Sequence, residues 1–153
     1  MNKFAIALAL LYSNIETSSA DSLAWKDGAT WKMSWDKEKS MIKMDVTTPV
    51  GTWFAFGWGR GMIGVDMVKF TGTGDNGDID DLWSSFYFVP ARDTEQEYGS
   101  ALKKRNGDTY EFTAWRRLDT GDTKQDTKLF CGRDYNFAYT GSSVSSLPIK
   151  HNI

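Results

Sequence analysis

The chain has 153 residues, with 18 Lys and Arg against 20 Asp and Glu, one His and one Cys. That length fits one domain able to bury a core without disulfide or metal staples. A net charge of −2 with no basic patch argues against nucleic acid as a partner, because nothing is clustered to neutralise phosphates.

Lys3 precedes an apolar run at residues 4–12, and the small residues Ser18, Ser19 and Ala20 follow a polar stretch. This is the order of a secretory signal peptide, expected over residues 1–20. Nine apolar residues are too few to span a bilayer as a helix. An uncleaved hydrophobic anchor is the alternative reading. Residues 21–153 are the expected mature chain, a single domain that is secreted or lumenal and has no transmembrane segment. Cys131, as the only cysteine, forms no disulfide within the chain. In an oxidising compartment it is either buried or paired with another molecule, the latter making a homo-oligomer. As a nucleophile it lacks a base, since the one imidazole, His151, is in the C-terminal tail.

Residues 31–36 and 40–47 alternate apolar and polar with period two, the pattern of half-buried strands. Pro49 and Gly51 close the second. Residues 52–58 are a continuous aromatic run, which reads as a strand buried on both faces or lining a cavity. The chain holds 7 Trp, 9 Phe and 6 Tyr, and such flat side chains suit a sandwich core or a pocket for a flat ligand.

Residues 57–64 follow, with glycine at 57, 59, 61 and 64 and Met62 among them. Glycine allows positive φ and close approach, so this is a tight connection. Met62 has two readings. It folds back as an ordinary core plug, or its soft sulfur serves as a ligand for haem iron.

A strand is expected over residues 65–71. The acidic loop at 72–81 invites a calcium reading, but its spacing does not fit the helix-loop-helix pattern, and a solvated hairpin tip is favoured. Residues 82–89 read as a strand ended by Pro90, and residues 94–106 as a long polar loop with a helical turn. Residues 108–118 alternate again before a turn at 119–122. Arg116 and Arg117 occupy opposite faces there. One of them can hold an anionic group such as a propionate; the commoner outcome is a surface Arg paired with Asp119 or Asp122. Residues 134–140 form the last expected strand. Seven or so short strands and no helix-length periodicity make the chain all-β, an antiparallel β-sandwich of immunoglobulin-like type. The carboxylates fall in polar turns and no catalytic pair is placed across a cleft, so a conventional enzyme is not expected.

In this order, the glycine turn with Met62 and residues 64–68, the segment 81–93, the run 112–122 with Asp126, and residues 136–141 with a histidine some ten residues on resemble the DOMON domain. This β-sandwich family is named for the N-terminal domain of dopamine β-monooxygenase. The resemblance covers most of residues 30–153. Haem-binding members of the family hold haem b between a methionine in this turn and a histidine near the domain end. By resemblance those iron ligands are Met62 and His151. With one imidazole per chain, His and Met is the available six-coordinate pair, and such a haem suits single-electron transfer. Trp53, Phe54, Phe56 and Trp58 are candidate pocket walls, with Arg116 a candidate for a propionate. The electron donor or acceptor is then a separate redox partner protein or a small reductant. Two other classes stay open: an extracellular module binding sugar or another small ligand without haem, and a structural or adhesive domain linked through Cys131.

Overall fold

Period-two alternation becomes sheet wherever one face of a strand can be buried. A computed structural model of the chain describes residues 21–24, 28–59, 63–130 and 137–143. Its strands are β1 (Asp21–Ala24), β2 (Thr30–Asp36), β3 (Met41–Pro49), β4 (Thr52–Trp58), β5 (Val65–Thr71), β6 (Asp78–Ser84), β7 (Ala91–Arg92), β8 (Gly99–Asn106), β9 (Thr109–Arg117) and β10 (Phe137–Ser143). They form two five-stranded sheets, in the orders β1-β2-β3-β9-β8 and β10-β4-β5-β6-β7. Every pairing is antiparallel. The sheets pack face to face, so the expected all-β sandwich is the observed fold.

Alternate residues of each central strand build the core. Trp31 and Met33, Ile42, Met44 and Val46, and Tyr110, Phe112 and Ala114 come from one sheet; Phe54, Phe56, Trp58, Val68 and Phe70 come from the other. Trp31 meets Phe56 at 5.2 Å, and Phe70 meets Phe112 at 5.6 Å between ring centroids. Tyr110 also donates its hydroxyl hydrogen to the Gly74 carbonyl. Gly77 turns the chain into β6 at φ +73°, and a Cβ there would lie 2.7 Å from the Phe112 ring. Only glycine combines that conformation with that proximity.

Two expectations are corrected. Residues 94–106 are not one long loop, since their second half is β8, hydrogen-bonded to β9. This strand lies at a sheet edge with Lys103, Lys104 and Arg105 exposed, so it has no apolar face to announce it. Charge on an edge strand is a known guard against edge-to-edge pairing. The acidic loop also ends earlier than expected. Its turn precedes β6, and Asp78, Asp80 and Asp81 belong to the strand, while residues 85–89 do not. The expected leader lies outside the described residues. Among the described residues no helix is long and apolar enough to cross a membrane.

Candidate functional site

β4 is held between β10 and β5, with Phe137 opposite Trp58 and Trp58 opposite Asp66. Its side chains therefore divide. Phe54, Phe56 and Trp58 enter the inter-sheet core, whereas Trp53 packs on the outer face with Ala55, Val65, Met67 and Leu82. The four aromatic residues expected to wall one pocket thus lie on two faces, as strand geometry requires. All four are at most 5% exposed, so none offers an open platform on which a sugar could stack. The Trp58 indole donates to the Tyr98 hydroxyl at 3.2 Å. On the outer face a Cβ on Gly57 would come within 2.8 Å of Val65 Cγ1 and 3.0 Å of Met67 Cγ; glycine lets both side chains close over the strand.

The connection from β4 to β5 leaves the sandwich at the end where β10 begins and β6 finishes, since Val65 pairs with Ser84. Ile63, Phe86, Tyr87, Phe88 and Val89 are exposed around this end. Phe86 contacts Tyr87 and Phe88 at 5.4 and 5.7 Å. Met62, His151 and Cys131 lie outside the described residues. The other methionines of the folded region are accounted for by packing. Met33, Met44 and Met67 are buried, and Met41 is half-buried on β3.

Arg116 is fully buried and Arg117 is exposed, so the two do occupy opposite faces. Arg116 finds its anions inside the protein, not at Asp119 or Asp122. Its Nη2 donates to Asp66 Oδ2 at 2.6 Å and to the Thr127 carbonyl at 3.1 Å, and lies 3.4 Å from Asp126 Oδ1. Nη1 donates to the Arg117 carbonyl at 3.3 Å, and the guanidinium lies over the Tyr98 ring. Asp119 pairs with Lys128 at the surface instead. The Thr127 amide donates to Asp66 Oδ2 and the Glu97 amide to Asp81 Oδ2, at 2.8 and 3.0 Å. Gln96 ties the same region together, donating to the carbonyls of Asp81 and Asp93 and accepting from the Asp81 amide.

Burial dominates the electrostatics of this cluster. Asp66 is pushed up to about 7, because loss of water outweighs the attraction of Arg116 and the Thr127 hydrogen bond. Asp81 is pushed up to about 8 by burial, only partly offset by its bond from the Glu97 amide. Burial also works against the Arg116 charge, but Tyr98 and the surrounding carboxylates hold its pKa above the usual value. One guanidinium thus stays charged among carboxylates too numerous for it to neutralise. Sequence reasoning did not assemble this cluster. The one local signal was Asp66, a carboxylate in the otherwise apolar run 65–68 on an inward-facing position.

A separate depression of about 460 Å³ lies on the other sheet, lined by residues including Lys32, Asp45, Thr47, Leu102, Glu111 and Thr113. Asp45 there is engaged by Lys43 at 2.9 Å and by Thr113 at 2.7 Å.

Comparison with known proteins gives matches of two kinds. Residues 27–142 match the family model of the DOMON domain. Two solved structures share the fold: the cytochrome domain of Myriococcum thermophilum cellobiose dehydrogenase and the cytochrome b domain of pyranose dehydrogenase from Coprinopsis cinerea. The first is 8% identical with a TM-score of 0.56, over 81% of this chain and 82% of that one. The second is 12% identical with a TM-score of 0.56, over 81% of each. A search of curated protein sequences found no match.

Proposed function

We propose, from the premise that this chain belongs to the DOMON domain family, that it is a b-type cytochrome domain transferring single electrons, with Met62 and His151 as the ligands to haem iron. The observation that carries the reading is that both solved structures named above are cytochrome domains sharing its fold over four fifths of the chain.

The donor set fits. The chain has one imidazole, and of its six methionines four are packed into the sandwich and one is Met1, in the expected leader. That leaves Met62, in the glycine-rich stretch 57–64 of the sequence. Chain length adds a condition. β10 starts opposite Trp58 and finishes opposite Thr52, so Ser143 is at the far end from the turn. The return along a seven-residue strand is about 20 Å. The eight residues from Ser143 to His151 reach at most about 29 Å when extended. His151 can meet Met62 only if this segment runs back nearly straight.

A b-type haem held by Met62 and His151 would supply one-electron chemistry. The protein's part is to hold the pair of ligands, the thioether favouring the reduced state, and to keep water from the iron. On the outer face, Val65, Met67 and Leu82 provide apolar side chains at the end of the sheet nearest the turn. The leader at residues 1–20 and the domain at 21–153 make this a secreted protein, and its electron donor or acceptor a separate protein or a small reductant.

An absorption spectrum of the full chain, expressed with haem supplied and read before and after dithionite, tests the reading. Sharp α and β bands on reduction are expected, and they disappear in Met62→Ala and in His151→Ala. A folded protein that takes up no haemin would overturn it.

A further inference from the structure

The buried carboxylates beside Arg116 present more acceptor oxygens than the hydrogen-bonding groups around them engage. One oxygen from each of Asp66, Asp81 and Asp126 falls within 4.8 Å of the others. The side chain of Asp66 is fully buried and that of Asp126 is 1% exposed, and residue Asp81 is 1% exposed. Among the described residues, Asp66 Oδ1, Asp81 Oδ1 and both carboxylate oxygens of Asp126 accept no hydrogen bond. Buried acceptors of this kind are costly unless something occupies them. The partners that do exist are on the other oxygens: Arg116 and Thr127 on Asp66 Oδ2, and Glu97 on Asp81 Oδ2. The three carboxylates thus meet in one buried cluster, brought together from β5, β6 and the segment after β9, with acceptor oxygens left over on each.

The geometry points to a hard divalent cation of the calcium type bound among Asp66, Asp81 and Asp126. A bound cation requires the carboxylates ionised and displaces their protons; three ionised carboxylates facing one guanidinium leave two negative charges, which one divalent ion balances. Calcium takes carboxylate oxygens at about 2.3–2.6 Å, so its ligands lie at most about 5 Å apart, and one oxygen from each of the three residues lies within 4.8 Å of the others. Magnesium prefers to keep several waters, for which a space shared with Arg116 and the Tyr98 ring is poorly suited. Asp93 and Glu97 are the other acidic groups near the cluster and add to its attraction for a cation. The acidic hairpin tip is not the site. Of its carboxylates only Asp81 faces inward, whereas Asp80 pairs with Lys69 and Arg92 on the outer face. Such an ion would tie the segment after β9 to the opposite sheet, beside Trp58. The inference does not depend on haem.

The test uses the full chain without haem, stripped with a chelator and then dialysed against radioactive calcium. One calcium per chain is expected at about 1 mM free ion, within the range of extracellular calcium modules. The thermal midpoint is expected to rise by about 5–10 °C at a hundredfold excess over Kd, with a smaller rise in magnesium. Asp126→Asn should weaken binding tenfold or more. That carboxylate accepts no protein hydrogen bond, so the variant retains the rest of the network. Asp75→Asn, at the exposed hairpin tip, should bind as the parent chain does. No bound calcium in the parent chain at that concentration would overturn the inference. So would binding unchanged in Asp126→Asn, which would place the ion elsewhere.

Discussion

Arg116 shows how a single residue can be misjudged when its surroundings are unknown. A basic pair beside a turn rich in Asp looks like surface charge. In the fold its guanidinium is sealed between the sheets with Asp66 and Asp126. The titration of its partners follows from the same burial. Burial pushes Asp66 and Asp81 up to about 7 and about 8, from an ordinary carboxylate value of 3.8. The folded protein therefore holds protons that the unfolded chain releases. Stability from these groups is full below about pH 4 and is lost as pH rises through about 7 to 8. Thermal unfolding in a chelating buffer should show the midpoint falling between pH 5 and pH 9, an interval of about four units that spans both transitions. Asp81→Asn should flatten that slope, because an amide has no proton to lose. A midpoint independent of pH in the parent chain would contradict the burial argument.

At the level of elements, β4 and β10 set the geometry of the proposed haem site. Their antiparallel register leaves the end of β10 away from the β4–β5 turn. The stretch between Ser143 and His151 then has about 29 Å of reach to cover about 20 Å of strand and the extra distance to the turn. Removing three residues from 144–150 cuts the reach to about 18 Å. The shortened chain should lose the reduced haem bands while its far-ultraviolet circular dichroism stays that of the parent. Retained bands would mean that the histidine does not approach by this route. The same element view explains why β8 escaped the sequence pattern. An edge strand needs only backbone partners on one side, and hydropathy records none of these.

The molecule as a whole is stabilised where its two sheets meet. Phe112, 1% exposed, touches Phe70 across that space and leaves room only for glycine at position 77. Phe112→Ala should cost about 3–5 kcal/mol in urea unfolding, as a large buried ring is replaced by a cavity. Phe88, 73% exposed beyond β6, should tolerate Ser within about 0.5 kcal/mol. Similar losses for the two variants would mean that the exposed aromatic end is packed as tightly as the core.

The alternation in residues 31–36, 40–47 and 108–118 determined by itself that these segments are strands and which side chains turn inward. It also carried the order of short segments by which the DOMON family is recognised. Period-two patterning is local, so one chain suffices to read it. Pairing is not local. Only the tertiary structure decided that Asp66 and Asp126, 60 residues apart, share one guanidinium with Asp81 beside them. It alone divided the aromatic run of β4 between two faces of its sheet, with Trp53 outside and Phe54, Phe56 and Trp58 within. Which carboxylates meet depends on the register and stacking of the two sheets. That is set by the fit of every core side chain together, and no single segment contains it.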